Sequence, residues 1–142
     1  MRVFESVLKA AADPSRARIL KMLEGGELCV CQVMAVLKLS QSTTSKHLSV
    51  LRAAGLVEER KEGRWVYCRL AEEAVNPYAL PTLALLREWL NDDASVRQDR
   101  ERLRIVREMT VAQLCALPGL DLDACCSGLI PFPTRARRPS NA

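Results

Sequence analysis

Two thiols two residues apart, Cys29 and Cys31 in the run Glu27-Leu28-Cys29-Val30-Cys31, are the residues of this chain best suited to chemistry. The thiolate is the form of cysteine that attacks electrophiles and binds metals, and a helix N-terminus favours it through its partial positive charge. The run leads into Gln32-Val33-Met34, the start of a short helix spanning about Val30 to Leu37, so both thiols are expected to feel that field. On a regular helix, residues two apart point away from each other. Chelation by this pair is therefore expected to distort the first turn.

The elements that must position the pair follow from the flanking sequence. Residues 2–12 place Val3, Val7, Leu8 and Ala11 on one helical face, a stripe that needs a packing partner, in this chain or a second copy. Asp13-Pro14 opens a second helix, with Ile19, Leu20 and Leu23 inward and Arg16, Lys21 and Glu24 outward, and Gly25-Gly26 ends it. After the thiol-bearing helix, Lys38-Leu39-Ser40 makes a tight connection. Ser40 caps a helix near Gln41–Ala54, which buries Thr44, Leu48 and Leu51, and Gly55 closes it. Two short helices, a three-residue turn and a capped second helix make a helix-turn-helix.

Val57–Lys61 and Arg64–Leu70 form a hairpin around Glu62-Gly63, which after a recognition helix is a wing. Asn76-Pro77 and Leu80-Pro81 break the chain. Leu83, Leu86 and Leu90, with Trp89, mark a later helix, and another runs from Asp92 or Asp93 to Met109; with the first helix these are candidates for dimer packing. The expected fold is mainly α with a small β-hairpin, a dimeric winged helix-turn-helix. Residues 1–110 are expected to form the DNA-binding and dimerisation domain, and residues 111–142 a cysteine-containing, largely flexible C-terminal extension.

Charge supports a nucleic-acid partner locally rather than globally. The chain carries +4 overall, yet Arg135, Arg137 and Arg138 supply three of those charges near its end. Residues 38–64 hold six basic side chains against three acidic ones, a basic surface of the kind phosphates require. The start of the recognition helix offers Gln41, Ser42, Thr43, Ser45 and Lys46 to base edges in the major groove. His47 either contacts a phosphate or base or is a plain exposed polar residue beside Leu48. On the wing, Arg60, Lys61 and Arg64 suit phosphate or minor-groove contact. A symmetric dimer on an inverted repeat of double-stranded DNA is the expected binding mode.

The run Glu27–Cys31, then Leu39-Ser40-Gln41-Ser42-Thr43-Thr44-Ser45-Lys46-His47-Leu48, Leu51–Val57 and Gly63-Arg64-Trp65-Val66-Tyr67, resembles the ArsR/SmtB family of metal-responsive repressors over roughly residues 3–110. Within it, Cys-Val-Cys is most similar to the arsenic(III)- and antimony(III)-responsive branch and also to the cadmium/lead-responsive branch. The resemblance implies a homodimeric repressor that binds its operator when metal-free and releases it when As(III) or Sb(III) binds Cys29 and Cys31. A cadmium/lead- or redox-responsive repressor is the alternative. Soft, thiophilic ions are the ones such ligands favour. The arsenic pattern carries a third cysteine where this chain has Met34, which either donates a thioether or, the favoured reading, packs in the core.

The remaining cysteines divide. Cys68, on a strand face with Val66 and Leu70, and Cys115, between Leu114 and Leu117, read as small buried hydrophobes. The vicinal pair Cys125-Cys126 is either a further set of metalloid ligands, as in some relatives with a C-terminal pair, or part of a floppy tail. Zinc-sensing relatives place His and Asp ligands on the late helix. The lone histidine here is His47, which argues against a late-helix zinc site. No triad partner for a cysteine nucleophile is visible, so no enzymatic role and no organic cofactor are expected. With no membrane-length apolar run and no signal-peptide pattern at Met1–Glu5, the expected location is cytoplasmic, with reduced thiols and no membrane partner.

Overall fold

Asp13 Oδ2 accepts the Arg16 N–H at 3.1 Å and Pro14 takes the first helical position, where its missing N–H costs nothing. This cap separates α1 (Arg2–Ala12) from α2 (Pro14–Leu23) in the computed structural model, which describes residues 1–110 and 113–114. The chain continues through β1 (Leu28–Cys29), α3 (Val30–Leu37), α4 (Gln41–Ala53), β2 (Val57–Glu62), β3 (Trp65–Leu70), α5 (Ala79–Glu88) and α6 (Ala94–Val106). The expected winged helix-turn-helix is present. Lys38 turns the chain in the left-handed region (φ 57°), its N–H bonded to Met34 O at 2.7 Å, and Ser40 Oγ accepts the Thr43 N–H at 3.2 Å.

The strands form a three-stranded antiparallel sheet in the order β1-β3-β2. Glu62 pairs with Trp65, so the tight turn is Gly63-Arg64, one residue later than expected, and Gly63 supplies the positive φ (62°). β1 has no counterpart in the sequence reading. It pairs Leu28 with Cys68 and Cys29 with Tyr67, tying the thiol segment to the wing. The core runs from Ile19, Leu20 and Leu23 of α2 through all of α3 to Leu48, Leu51 and Leu56.

Four expectations change. Lys21 is buried instead of outward: its ammonium donates to Leu86 O (2.8 Å) and Asn91 Oδ1 (2.9 Å) and pairs with Glu24, itself largely covered. Pro81 lies inside the first turn of α5, where the absent N–H has no intrahelical partner to lose. Leu90 falls beyond α5 in the left-handed region (φ 65°), and it and Trp89 are exposed. In α1, Val7 and Ala10 face the core, while Val3, Phe4 and Leu8 stay exposed.

The late helices are pinned by polar contacts. Asn76 Oδ1 accepts the Tyr78 and Ala79 N–H groups, both at 2.9 Å, and its amide donates to Ala54 O at 3.0 Å, linking the start of α5 to the end of the recognition helix. Asp93 caps α6 through the Ser95 and Val96 N–H groups. The Asp99 carboxylate, almost fully buried, accepts two 2.7 Å bonds from Arg18 of α2. Replacing Asp99 by Ala strands a guanidinium that is mostly covered, so unfolding free energy should fall by about 2–3 kcal/mol. Urea denaturation measures it, and a change below about 0.5 kcal/mol, the scale of an ordinary surface substitution, would show the pair to be stability-neutral.

Candidate thiol site and nucleic-acid interface

Cys29 is at once the last residue of β1 and the N-cap of α3, in an extended conformation (φ −73°, ψ 146°). Its N–H donates to Gln32 Oε1 at 2.9 Å, and its sulfur faces the backbone N–H groups of Cys31 and Gln32, a capping-box arrangement built on a thiol. The two thiols therefore straddle a strand-to-helix junction and do not sit on successive positions of one helix. Chelation competes with the cap rather than requiring a regular turn to unwind.

Burial overturns the expected thiolate character. Cys29 has no exposed surface, and desolvation pushes its pKa up to about 11 against the lowering effect of the Cys31 and Gln32 N–H groups. Cys68 is equally buried, its thiol also pushed up by desolvation, and it donates weakly to Leu28 O at 3.6 Å, in keeping with a small core residue. Met34 is fully buried within the core, as the packing reading has it. Among the described cysteines, Cys29 and Cys68 are free thiols, and Cys31 is disulfide-bonded. Cys115, Cys125 and Cys126 lie outside the described residues, as does the 127–142 segment. Among the described residues, no group of three or more His, Cys, Asp or Glu side chains is placed to hold a metal ion. The side chains of Cys29, Cys31 and Met34 offer sulfur donors, which fit a soft, thiophilic ligand, and Gln32 Oε1 is already taken by the Cys29 N–H.

A polar row crosses the sheet beside this junction. Cys29 pairs with Tyr67 and Tyr67 with Arg60, so the three side chains share a face. The Arg60 guanidinium lies 4.6 Å from the Tyr67 ring centroid. Glu27, two residues before Cys29, accepts two 2.8 Å bonds from Arg60, and Glu62 accepts another at 2.8 Å. Those bonds, Glu27's first, raise the Arg60 pKa above its ordinary value. Arg60 is thus committed to carboxylates, a different place from that of a phosphate contact. Glu27 and Tyr67 carry no local sequence signal, because the contacts joining them to Arg60 and Cys29 depend on β1.

On α4, Ser42, Ser45 and Lys46 are exposed on one stripe, which Ser49 extends. Gln41, Thr43 and His47 are half-buried, and His47 Nδ1 lies 3.4 Å from the Arg16 guanidinium, turned toward α2. Lys61 and Arg64 are exposed at the wing tip. Lys46 on this stripe and Lys61 and Arg64 at the wing tip are solvent-facing basic side chains.

Comparisons with known proteins agree with this geometry. Residues 13–59 match the model of the bacterial regulatory protein, arsR family. The chain is 42% identical over 92 residues to the arsenic resistance transcriptional regulator ArsR1 of Pseudomonas putida, covering 62% of this chain and 72% of that protein. It is 43% identical over 70 residues to a cadmium resistance transcriptional regulatory protein CadC homolog of Staphylococcus aureus, covering 49% of this chain and 58% of that one. Among solved structures, the homodimeric winged helix-turn-helix DNA-binding domain of Mb0332 from Mycobacterium bovis superposes with a TM-score of 0.52 at 31% identity, covering 61% of this chain and 77% of that one.

The depth of Cys29 sets its reactivity. With a pKa of about 11, its alkylation by iodoacetamide at pH 8 should run at least about a hundredfold slower in the folded protein than in the urea-unfolded chain, where an ordinary thiol titrates near 8.5. Peptide mass spectrometry of a time course reads this directly. Equal rates in the two states would show Cys29 to be exposed and ionised.

Proposed function

We propose that this chain, which belongs to the ArsR family of bacterial regulatory proteins, is a repressor that binds operator DNA as a homodimer and is released when As(III) or Sb(III) binds Cys29 and Cys31. The observation that carries the reading is the position of Cys29: one residue caps the first helix of the helix-turn-helix and pairs with the wing strand. In the reduced chain, arsenous acid condenses with two thiols and leaves as many water molecules. The Cys29 sulfur then no longer serves the Cys31 and Gln32 N–H groups, and α3, which packs against α4, loses its N-terminal cap. The same event disturbs the β1–β3 pairing, so recognition helix and wing respond together.

The dimer is assigned to α1 and α5. Phe4 and Tyr78 meet edge to face at 5.4 Å, and Val3, Leu8, Leu85 and Trp89 are exposed on the same two elements and the end of α5. DNA contact is assigned to Gln41, Ser42, Thr43, Ser45 and Lys46 in the major groove, with Lys61 and Arg64 on phosphates. His47 and Arg60 act through Arg16 and Glu27 respectively. Cys125 and Cys126 remain candidates for additional thiol ligands. A second reading, a redox- or cadmium/lead-responsive repressor, is favoured by the disulfide at Cys31 and by the likeness to the cadmium-resistance regulator.

Fluorescence anisotropy with operator DNA tests the first reading. As(III) should weaken operator binding by about 5–150-fold, the usual range of allosteric coupling. Cys29→Ser with Cys31→Ser should bind operator nearly as well as the parent, with its As(III) response reduced to within about twofold, and loss of DNA binding in that variant would make the pair structural. Peroxide, Cd(II) or Pb(II) releasing the operator while As(III) does not would select the second reading.

The raised thiol pKa separates the ligands by pH. A divalent cation expels a proton from each thiol it binds, so below about 11 its apparent affinity should rise about tenfold per pH unit for every proton released. Arsenous acid carries thiol protons away as water, so its affinity should stay flat between about pH 6.5 and 8. Calorimetric titrations in paired buffers give both slopes, and a steep As(III) slope would contradict binding to neutral thiols.

A further inference from the structure

The groove between α2, the end of α5 and α6 has a volume of about 500 Å³ and gathers six cationic side chains: Arg18, Lys21, Arg87, Arg100, Arg104 and Arg107. Glu24 and Asp99 are its anionic ones. Such a gathering of one sign repels itself, and a concave wall focuses its field on an anion. Part of the charge is already met. Asp99 holds Arg18, Glu24 holds Lys21, and Glu101 holds Arg104. Arg87 and Arg100 are exposed and, among the described residues, have no carboxylate partner. Met22, Val96 and Leu103, all buried, add apolar surface to the lining. An apolar wall with a few convergent charged groups is the make-up of a small-molecule site.

The groove lies away from the surface assigned to DNA. Arg16 and Arg18, two apart on α2, point to opposite sides of that helix. Arg16 meets His47 of the recognition helix at 3.4 Å, whereas Arg18 meets Asp99 of α6 at 2.7 Å. The cations gathered around Arg18 therefore stand across α2 from α4. Their type also narrows the ligand. The planar guanidinium fork matches the oxygens of a phosphate with two parallel bonds, which a lysine cannot do. Arg87 and Arg100 stand on separate helices, so together they suit an anion carrying more than one phosphate.

We propose that this groove is a binding site for a small diphosphate anion, free or as an ester, held by Arg87 and Arg100. It is separate from the thiol site and does not depend on the inducer reading above.

Calorimetric titration of the full-length protein, free of DNA, with pyrophosphate and with ADP tests it. At least one of the two should bind with a Kd below about 1 mM at an ionic strength of about 0.15 M. Arg87→Ala with Arg100→Ala should weaken that binding about tenfold or more, the effect of losing charge-assisted bonds. The same variant should melt with the parent, because both side chains are exposed and hold no carboxylate. Lys61→Ala with Arg64→Ala, at the wing tip, should shift the affinity by less than about twofold, since exposed charges beyond a Debye length are screened. Equal affinities for the two probes assign the free diphosphate, and tighter ADP binding assigns an ester whose nucleoside meets the apolar lining. No binding of either probe up to about 10 mM overturns the proposal. So does an equal loss in the two variants, which would make the effect one of general surface charge, or an affinity that Arg87→Ala with Arg100→Ala leaves unchanged.

Discussion

The chain passes from strand to helix between Cys29 and Val30 with no loop between them. A loop would absorb a local change, and this junction has none. Cys29 answers to the sheet through its pairing with Tyr67, and to α3 through the N–H groups that its sulfur receives. Because α3 is buried along its whole length, its cap is buried to the same depth. The burial of the thiol is thus a consequence of where the helix starts, and the chemistry available to the thiol follows from that burial.

Magnitudes decide what such a thiol can do. Raising the Cys29 pKa from about 9 to about 11 means that forming the thiolate in place costs roughly 3 kcal/mol more than in water. The partial charge of the helix start and two N–H donors favour the anion, but desolvation outweighs them. A ligand that demands a preformed thiolate bears that cost. A ligand that brings its own proton acceptor, as a metalloid hydroxide does, does not. On the proposed reading, buried thiols therefore favour neutral oxyacids of arsenic and antimony over divalent ions with similar taste for sulfur.

Much of this was legible from residue order alone. Helix periodicity, Asp13-Pro14, Ser40 and Gly55 placed α2, α3 and α4 to within a residue or so, because caps and glycines act locally. The wing followed from alternation and Gly63. What escaped were features made by distant partners. Two residues, Leu28 and Cys29, carry too little pattern to announce a strand, and without β1 nothing joins Glu27 to Arg60 or Cys29 to Tyr67. Lys21 looked solvent-facing because its acceptors lie 65 and 70 residues away. The expectation of an ionised Cys29 failed for a related reason: the helix field is visible in sequence, and the depth of burial is not.

The ion pair between Glu27 and Arg60 gives the wing a second tie to the thiol-bearing segment. Glu27 is nearly buried and Arg60 about half so, and the two parallel bonds fix their relative orientation. Arg60 belongs to β2, whereas the pairing of Cys29 acts on β3. The two outer connections of the hairpin thus converge on residues 27–29. On the proposed mechanism, a displacement of those residues would act on both strands of the hairpin, whose tip carries the exposed Lys61 and Arg64. Arg60 takes part in this tie through its bonds to Glu27 and Glu62, which occupy its guanidinium.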